Sequence, residues 1–314
     1  MDKTKYFSVQ LGFFLLLLNS EYRAELMRII TLTTDLGLRD HYVAALKGQL
    51  MSKIDGCHLV DISHDVQSFN IAQAAYYINN VVEDFPEGTI HYIGVDSLPH
   101  ISIGNADNNL YPLVMELKGQ FFVGCDNGIF SLINGYEEAS KIIRLDDFSA
   151  KTSLRFPTRN IYVPAIVSLC KGKSLDDMGE DMPSIRKAFT TQPAVLKDLI
   201  KGTVIHEDKY DNVIVNITEK LFNEVGSGNP FTIYFKNSKY FIENISSNYY
   251  DVPMGEKLAL FNDNAFLEIA INKGVQGNGG GAASLLGLHV KDVIRIEFHP
   301  KGSKDKIEDL FTQE

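Results

Sequence analysis

The hydrophobic pattern of this chain changes character once, near residue 193. Before that point short β-rich runs alternate with stretches of helical period. Residues 29–33 read as a strand running into Thr34-Asp35-Leu36-Gly37, 42–54 as a helix, 59–62 as a strand, 71–82 as a helix halted before Pro86, and 89–95 as a third strand. That order predicts an α/β domain with a mostly parallel sheet and helices packed on it. In such sheets function gathers at the carboxyl ends of the strands. Asp35, the stretch Asp61-Ile62-Ser63-His64-Asp65, and Asp96 all fall at such ends.

Beyond residue 193 short strand patterns recur between turn signals, at 202–206, 212–217, 231–235, 240–242, 257–261, 266–271 and 293–298, with few helical periods among them. Several strands at short spacing predict a smaller all-β, barrel-like domain. The expected organisation is therefore an α/β domain over 27–190, a β-barrel-like domain over 191–300 and a polar tail over 301–314. A linker over 186–198 carries the turn-type break Thr190-Thr191-Gln192-Pro193.

The chain has 314 residues, 45% of them hydrophobic and 22% charged, enough apolar material for two cores. A net charge of -10 repels phosphate polymers and anionic lipid, so neither nucleic acid nor a membrane is an expected partner. Cys57, Cys125 and Cys170 are widely spaced and form no Cys-x-x-Cys, which points to a reducing, cytoplasmic setting and to three small buried hydrophobes. Lys3 and Lys5 before the apolar run 13–18 look like the start of a signal peptide, but residues 19–23 offer no small-x-small cleavage site. The run is also too short to span a bilayer. Residues 1–26 are read as an extension or a mis-assigned start, with Met27 standing directly before the first strand.

No Walker loop, Gly-x-Gly-x-x-Gly, His-Glu-x-x-His or Gly-x-Ser-x-Gly occurs. The residues by themselves offer strand-end carboxylates and an Asp/Asn-rich β domain. Ionised carboxylates only accept hydrogen bonds, which suits ribose hydroxyls and ammonium or sulfonium cations. That much defines a site for a small polar or nucleoside-like ligand, with no metal or redox cofactor implied.

A resemblance narrows this reading. Thr33-Thr34-Asp35-Leu36-Gly37, the block 40–48, Asp61-Ile62-Ser63-His64, Phe69-Asn70-Ile71-Ala72, the block 85–91, Asp126-Asn127-Gly128-Ile129, the block 159–165, the block 208–213 and the block 267–272 resemble, in order, the S-adenosylmethionine hydroxide adenosyltransferase family. That family also contains fluorinating and chlorinating adenosyl transferases. The resemblance implies that S-adenosylmethionine is the substrate and that water or halide attacks its 5′ carbon, displacing neutral methionine. It also implies a homotrimer whose sites lie between the α/β domain of one subunit and the β domain of the next.

By resemblance Asp35 takes the ribose hydroxyls, the reading favoured over the alternative of a helix N-cap after a strand. Asp40 reads as a helix-start or supporting residue. Phe69 and Asn70 match the lining of the adenosine pocket, with a core role open for Phe69, and Phe156 matches the aromatic that closes on the reacting carbon. Asp208 and Asn212 match the pair holding the methionine end and the adenine edge, though Asn212 also suits a turn at a strand start. Asp263 and Asn264 occupy the turn where relatives place a serine for the methionine carboxyl and amino groups; a carboxylate there welcomes the ammonium and repels the carboxylate. Glu268 lies in the matching strand. The family passes from Gly274 directly to Asn-Ala-Ala, whose backbone faces adenine, whereas here residues 275–281 intervene, as a surface insertion or a lid, before Ala282-Ala283.

Hydrolytic members position water with an Asp, an Arg and a His. The Asp is present as Asp96, while Ile103 stands at the Arg position and Pro157 at the His position. Three readings follow. His100 or Arg155 supplies the missing group and the protein is a hydrolase, with Asp96, His100 and Thr158 as its catalytic set. Alternatively it is a halogenase, since halide-using members also lack the Arg and His and carry a small hydroxyl where Thr158 stands, although Asp96 would repel halide. The third is a non-catalytic binder of S-adenosylmethionine or adenosine. Hydrolysis to adenosine and L-methionine is the expectation carried forward.

Overall fold

The computed structural model describes residues 29–101, 109–146, 153–235, 240–275, 277 and 279–301. The expectations for 1–26, for Ile103, for Met27 and for most of the 301–314 tail lie outside them. The chain divides into two compact units at Thr190/Thr191.

The first unit holds strands β1 (Ile29–Thr34), β2 (His58–Ser63), β3 (Ile90–Gly94), β4 (Pro112–Leu117), β5 (Gln120–Cys125), β6 (Lys141–Leu145) and β7 (Gly179–Asp181), and helices α1 (Tyr42–Met51), α2 (Ile71–Asn79) and α3 (Val163–Cys170). The strands form one sheet in the order β2-β1-β3-β5-β4-β6-β7. The pairs β2-β1, β1-β3 and β3-β5 are parallel, and β5-β4, β4-β6 and β6-β7 antiparallel, so all strands but β4 and β7 share one direction. Both faces are buried. Leu32, Tyr92, Val114 and Val123 pack with Leu46 and Leu50 of α1 and Ile166 of α3, while Ile93, Leu113, Met115 and Phe122 pack with Ala74 and Ile78 of α2. This is the strand alternation of period two, filled with apolar residues on each side.

Strands β8 (Ala194–Leu196), β9 (Leu199–Glu207), β10 (Val213–Thr218), β11 (Phe231–Tyr234), β12 (Phe241–Ile242), β13 (Lys257–Phe261), β14 (Phe266–Ile271) and β15 (Val293–Phe298) make the second unit, with helices α4 (Glu219–Gly226) and α5 (Ala282–Leu286). They form an antiparallel sheet in the order β12-β11-β15-β9-β10-β14-β13, with β8 added to β9. Just past β12, Ser246 N–H donates to the Ala259 carbonyl of β13 at 2.7 Å, which nearly closes the sheet into a barrel. Its interior is Ile200, Val204, Val215, Ile217, Leu267, Ile269, Ile294 and Ile296.

Several sequence expectations need correction. The helix read over 42–54 stops at Met51, and the one read over 71–82 stops at Asn79. The 186–198 linker is partly strand, because Ala194–Leu196 turns back antiparallel along Leu199–Lys201. Helix α4 is unforeseen: Thr218 Oγ1 caps it by accepting the Leu221 N–H at 3.2 Å, and Phe222 is sandwiched among Phe231, Phe261 and Phe298. Of the three cysteines only Cys125 is buried; Cys57 and Cys170 are half-buried at the margin of the same core. Among the described residues no helix is long and apolar enough to cross a membrane.

One buried polar group under the sheet carries a pH dependence. His91 Nδ1 shares a hydrogen with Thr31 Oγ1 at 2.8 Å, its Nε2 lies 3.2 Å from Gln120 Oε1, and its ring stacks on Phe122. Burial, partly offset by Gln120, lowers its pKa from 6.5 to about 4. The folded protein therefore keeps His91 neutral while the unfolded chain protonates it, so this stability is present above pH 6.5 and is lost as pH falls toward 4. Urea titrations should show up to about 3 kcal/mol lost over that interval through His91. The His91→Gln variant should show a correspondingly flatter profile, and parallel profiles for the two proteins would refute the assignment.

Candidate active site

Parallel pairing of β1 with β3, in register from Ile30↔Ile90 to Thr34↔Gly94, brings the residues that follow these strands to one edge. There Asp35 Oδ2 accepts the Phe69 N–H at 2.9 Å and the Asp96 N–H at 3.5 Å. Asp35 is no helix cap: α1 begins only at Tyr42, behind His41, and Asp40 is exposed beside it. Both residues that Asp35 holds are in the left-handed region, Phe69 at φ 66° and Asp96 at φ 45°, unusual for side chains other than glycine. Phe69 is 72% exposed, which excludes the core role and leaves a bare aromatic face beside the carboxylate. Asn70 caps α2 by accepting the Gln73 N–H at 3.1 Å.

The strained Asp96 loop is held from below. Asn127 Nδ2 donates to the carbonyls of Val95 (3.0 Å) and Asp96 (2.9 Å), while its Oδ1 accepts the Ile129 N–H at 3.1 Å. Tyr162 Oη donates to the Ser97 carbonyl at 2.8 Å. Gly128, at φ 106°, lies so close to Ala188 that a Cβ would come within 2.8 Å of the Ala188 Cβ. Burial, and then the nearby Asp35 charge, raise the Asp96 pKa above 3.8. Thr158 is buried where a single π-helical turn, Thr158–Tyr162, opens α3, and its Oγ1 accepts the Tyr92 hydroxyl at 2.9 Å. Half-buried Phe156 meets the Tyr42 ring at 5.6 Å.

Not every strand-end polar residue joins this edge. Asp61 is paired with Lys47 (2.5 Å) and with His64 Nε2 (3.1 Å), and His64 Nδ1 meets Thr34 Oγ1 at 2.7 Å. That chain braces β1 from the side. His100 is exposed and its main chain exchanges both hydrogen bonds with Leu110; Arg155 is exposed as well.

A second polar cluster lies within the second unit. Asp208 Oδ1 accepts the N–H groups of Tyr210 (2.8 Å) and Asn212 (2.9 Å), and its Oδ2 accepts Asn212 Nδ2 at 3.1 Å. Asn212 thus fills the turn role while sitting buried beside Asp208. Glu268, 5% exposed, accepts the Tyr249 hydroxyl at 2.5 Å. Its pKa is raised by burial and by the charges of Asp208 and Asp263. Asn262 Oδ1 shapes the turn with Asp263 and Asn264 by accepting the N–H groups of Asn264 and Phe266, each at 3.1 Å, and leaves both turn residues exposed. The insertion folds back on itself, since Gly280 N–H reaches the Val275 carbonyl at 3.2 Å. Among the described residues no group of three or more potential metal ligands comes together.

The supporting residues Tyr92, Asn127, Tyr162, Tyr249 and Asn262 carry no sequence signal of their roles. Only Asn127 and Tyr162 sit inside blocks singled out beforehand.

An α/β unit with paired carboxylates at its strand ends, joined in the chain to a β-barrel-like unit with an Asp/Asn/Glu cluster, defines a two-domain protein equipped for a cationic, hydroxyl-rich small molecule. The N-terminal domain of the SAM hydroxide adenosyltransferases matches residues 30–179 and their C-terminal domain matches 202–295. The chain belongs to this family. It is 30% identical over 200 residues to the (R)-S-adenosyl-L-methionine hydrolase of Methanocaldococcus jannaschii, covering 62% of this chain and 69% of that one. With the enzyme of the same name from Thermus thermophilus it shares 24% over 283 residues, 86% of this chain and all of the other. A fluorinase of Actinopolyspora mzabensis is 23% identical over 281 residues, 78% and 90% of the two chains. A crystal structure of an uncharacterized conserved protein from Thermotoga maritima superposes with a TM-score of 0.72 at 26% identity, covering 85% of this chain and 99% of that one.

Asn127 makes three hydrogen bonds, two of them to the strained loop. Its replacement by alanine should lower unfolding stability by roughly 2 kcal/mol in urea denaturation. A loss below about 0.5 kcal/mol, the level of an ordinary surface change, would contradict this account of the Asp96 loop.

Proposed function

We propose that this protein hydrolyses S-adenosyl-L-methionine to adenosine and L-methionine, with S-adenosyl-L-methionine as substrate and no other organic or metal group taking part. Water attacks the 5′ carbon, the carbon–sulfur bond breaks with its electron pair going to sulfur, and methionine leaves as a neutral thioether. The attacking oxygen must then shed one proton. Asp96 is the acceptor, and the observation that carries this role is its placement: a half-buried carboxylate with a raised pKa, fixed beside Asp35 at the shared strand edge. A group of that kind aims water and takes its proton near neutral pH.

Asp35 binds the ribose hydroxyls, and Phe69 and Asn70 line the adenosine pocket. Phe156 closes on the reacting carbon, and Thr158, fixed by Tyr92, presents a hydroxyl near it. Asp208, Asn212, Asp263, Asn264 and Glu268 form the methionine and adenine subsite, its carboxylates suited to the ammonium and sulfonium charges. His100 is the candidate for the group that replaces the family's His. The working particle is a cytoplasmic homotrimer, the assembly implied by the family resemblance, and sedimentation of the purified protein as a single chain would refute that part.

Incubation with S-adenosylmethionine followed by chromatography should show adenosine and methionine appearing in equal amounts. Asp96→Ala should slow release by at least about a hundredfold. Because the base must be ionised, activity falls as pH drops through the raised Asp96 pKa, so the acid limb should lie above the ordinary 3.8. The Asp35→Asn variant removes the neighbouring charge and should move that limb to lower pH. Undiminished release by Asp96→Ala would overturn the role given to Asp96, and wild-type protein that releases no adenosine, or forms a 5′-halogenated nucleoside in its place on adding chloride or fluoride, would overturn the hydrolytic assignment.

A further inference from the structure

The turn that carries Asp208 and Asn212 also contains Asp211, to which neither the residue pattern nor the family resemblance gives a role. Asp211 adopts φ 65°, a conformation a side chain other than glycine enters at a cost. Its contacts explain why it stays there. Oδ2 accepts the Gly281 N–H at 2.6 Å and the Ser284 N–H at 3.1 Å, and its own carbonyl accepts the Ala283 N–H at 2.9 Å. Partial burial pushes its carboxyl pKa up, and the hydrogen bonds from Ser284 and Gly281 more than reverse this, leaving it below 3.8.

Gly281 is fitted to this contact from the other side. A Cβ there would lie 2.6 Å from the Asp211 Cβ and 2.8 Å from the carbonyl oxygens of Asp211 and Tyr210. The chain approaches Gly281 through an equally tight turn, since a Cβ on Gly274 would fall 2.4 Å from the Gly280 carbonyl oxygen. The insertion therefore ends at one locked point. The Asp208–Asn212 turn and the start of α5 share a main-chain seam with Asp211 as its fastener.

We propose that Asp211 is a positioning residue for substrate. It sets the Asp208–Asn212 turn in register with the main chain at 281–284, so that the purine edge meets a preformed surface. The inference rests on the proposed function, which assigns the adenine to this turn. Asp211 touches neither the 5′ carbon nor its nucleophile in that reading. Its loss should weaken ground-state and transition-state binding alike, raising KM and leaving kcat nearly unchanged.

The variant that isolates the carboxylate is Asp211→Gly, because glycine keeps the left-handed backbone without strain. The full-length variant should raise KM for S-adenosylmethionine, and Kd for adenosine measured by calorimetry, by about tenfold. Its kcat should stay within about threefold of wild type. Asp211→Asn retains one acceptor oxygen and tolerates the same backbone, so it should restore most of the affinity. Gly281→Ala forces the seam apart from its other side and should reproduce the loss, and it carries the comparison with Asp211→Asn if the glycine variant does not fold. Unchanged adenosine affinity in folded Asp211→Gly, or a collapse of kcat at constant KM, would overturn this role while leaving the hydrolase intact. Wild-type protein that binds neither adenosine nor S-adenosylmethionine would overturn the proposed function and this inference with it.

Discussion

Two carboxylates of like charge, Asp35 and Asp96, end adjacent parallel strands, and the α/β unit is built to keep them together. Parallel register between β1 and β3 puts them side by side. Repulsion and burial both oppose the arrangement, as the raised Asp96 pKa records. The main chain offsets this by turning N–H groups of residues 69 and 96 toward Asp35, and Asn127 and Tyr162 secure the Asp96 loop through its carbonyls. Those supports stand on a sheet buried on both faces, so the site inherits its rigidity from the core.

Holding two acids close has a chemical use when the ligand carries the opposite charge and the reaction must remove one proton. Within the proposed reaction the sulfonium loses its charge as the carbon–sulfur bond breaks, so strong acid catalysis of the leaving group has no purpose. The demands are an aimed nucleophile and a base of moderate strength. The β unit follows the same electrostatic logic: burial, with the charges of Asp208 and Asp263 added, raises the Glu268 pKa, and the Tyr249 hydroxyl that donates to Glu268 partly offsets it.

Much of this was legible in the residues. The strands at 257–261, 266–271 and 293–298 coincide with β13, β14 and β15, because short apolar or alternating runs are bounded there by Asn, Gly and Asp turn signals. Asp35 and Asp96 could be placed at strand ends for the same reason. Helix α4 escaped notice because its eight residues barely exceed two turns, and what holds it is the long-range packing of Phe222 against three other phenylalanines. The carboxylate of Asp61 looked equivalent to its strand-end neighbours, yet Lys47 and His64 claim it.

Local pattern alone determined the order of elements, the change from α/β to all-β texture and the identity of the carboxylates at the strand ends, since period, turn chemistry and charge are properties of short stretches. The tertiary structure decided what each polar group does. Whether Asp96 is held beside Asp35, whether Phe69 is core or exposed, and whether Asp211 is a turn residue or a fastener for Gly281 depend on partners tens of residues away. Those pairings are set by strand register and packing, which no local window contains.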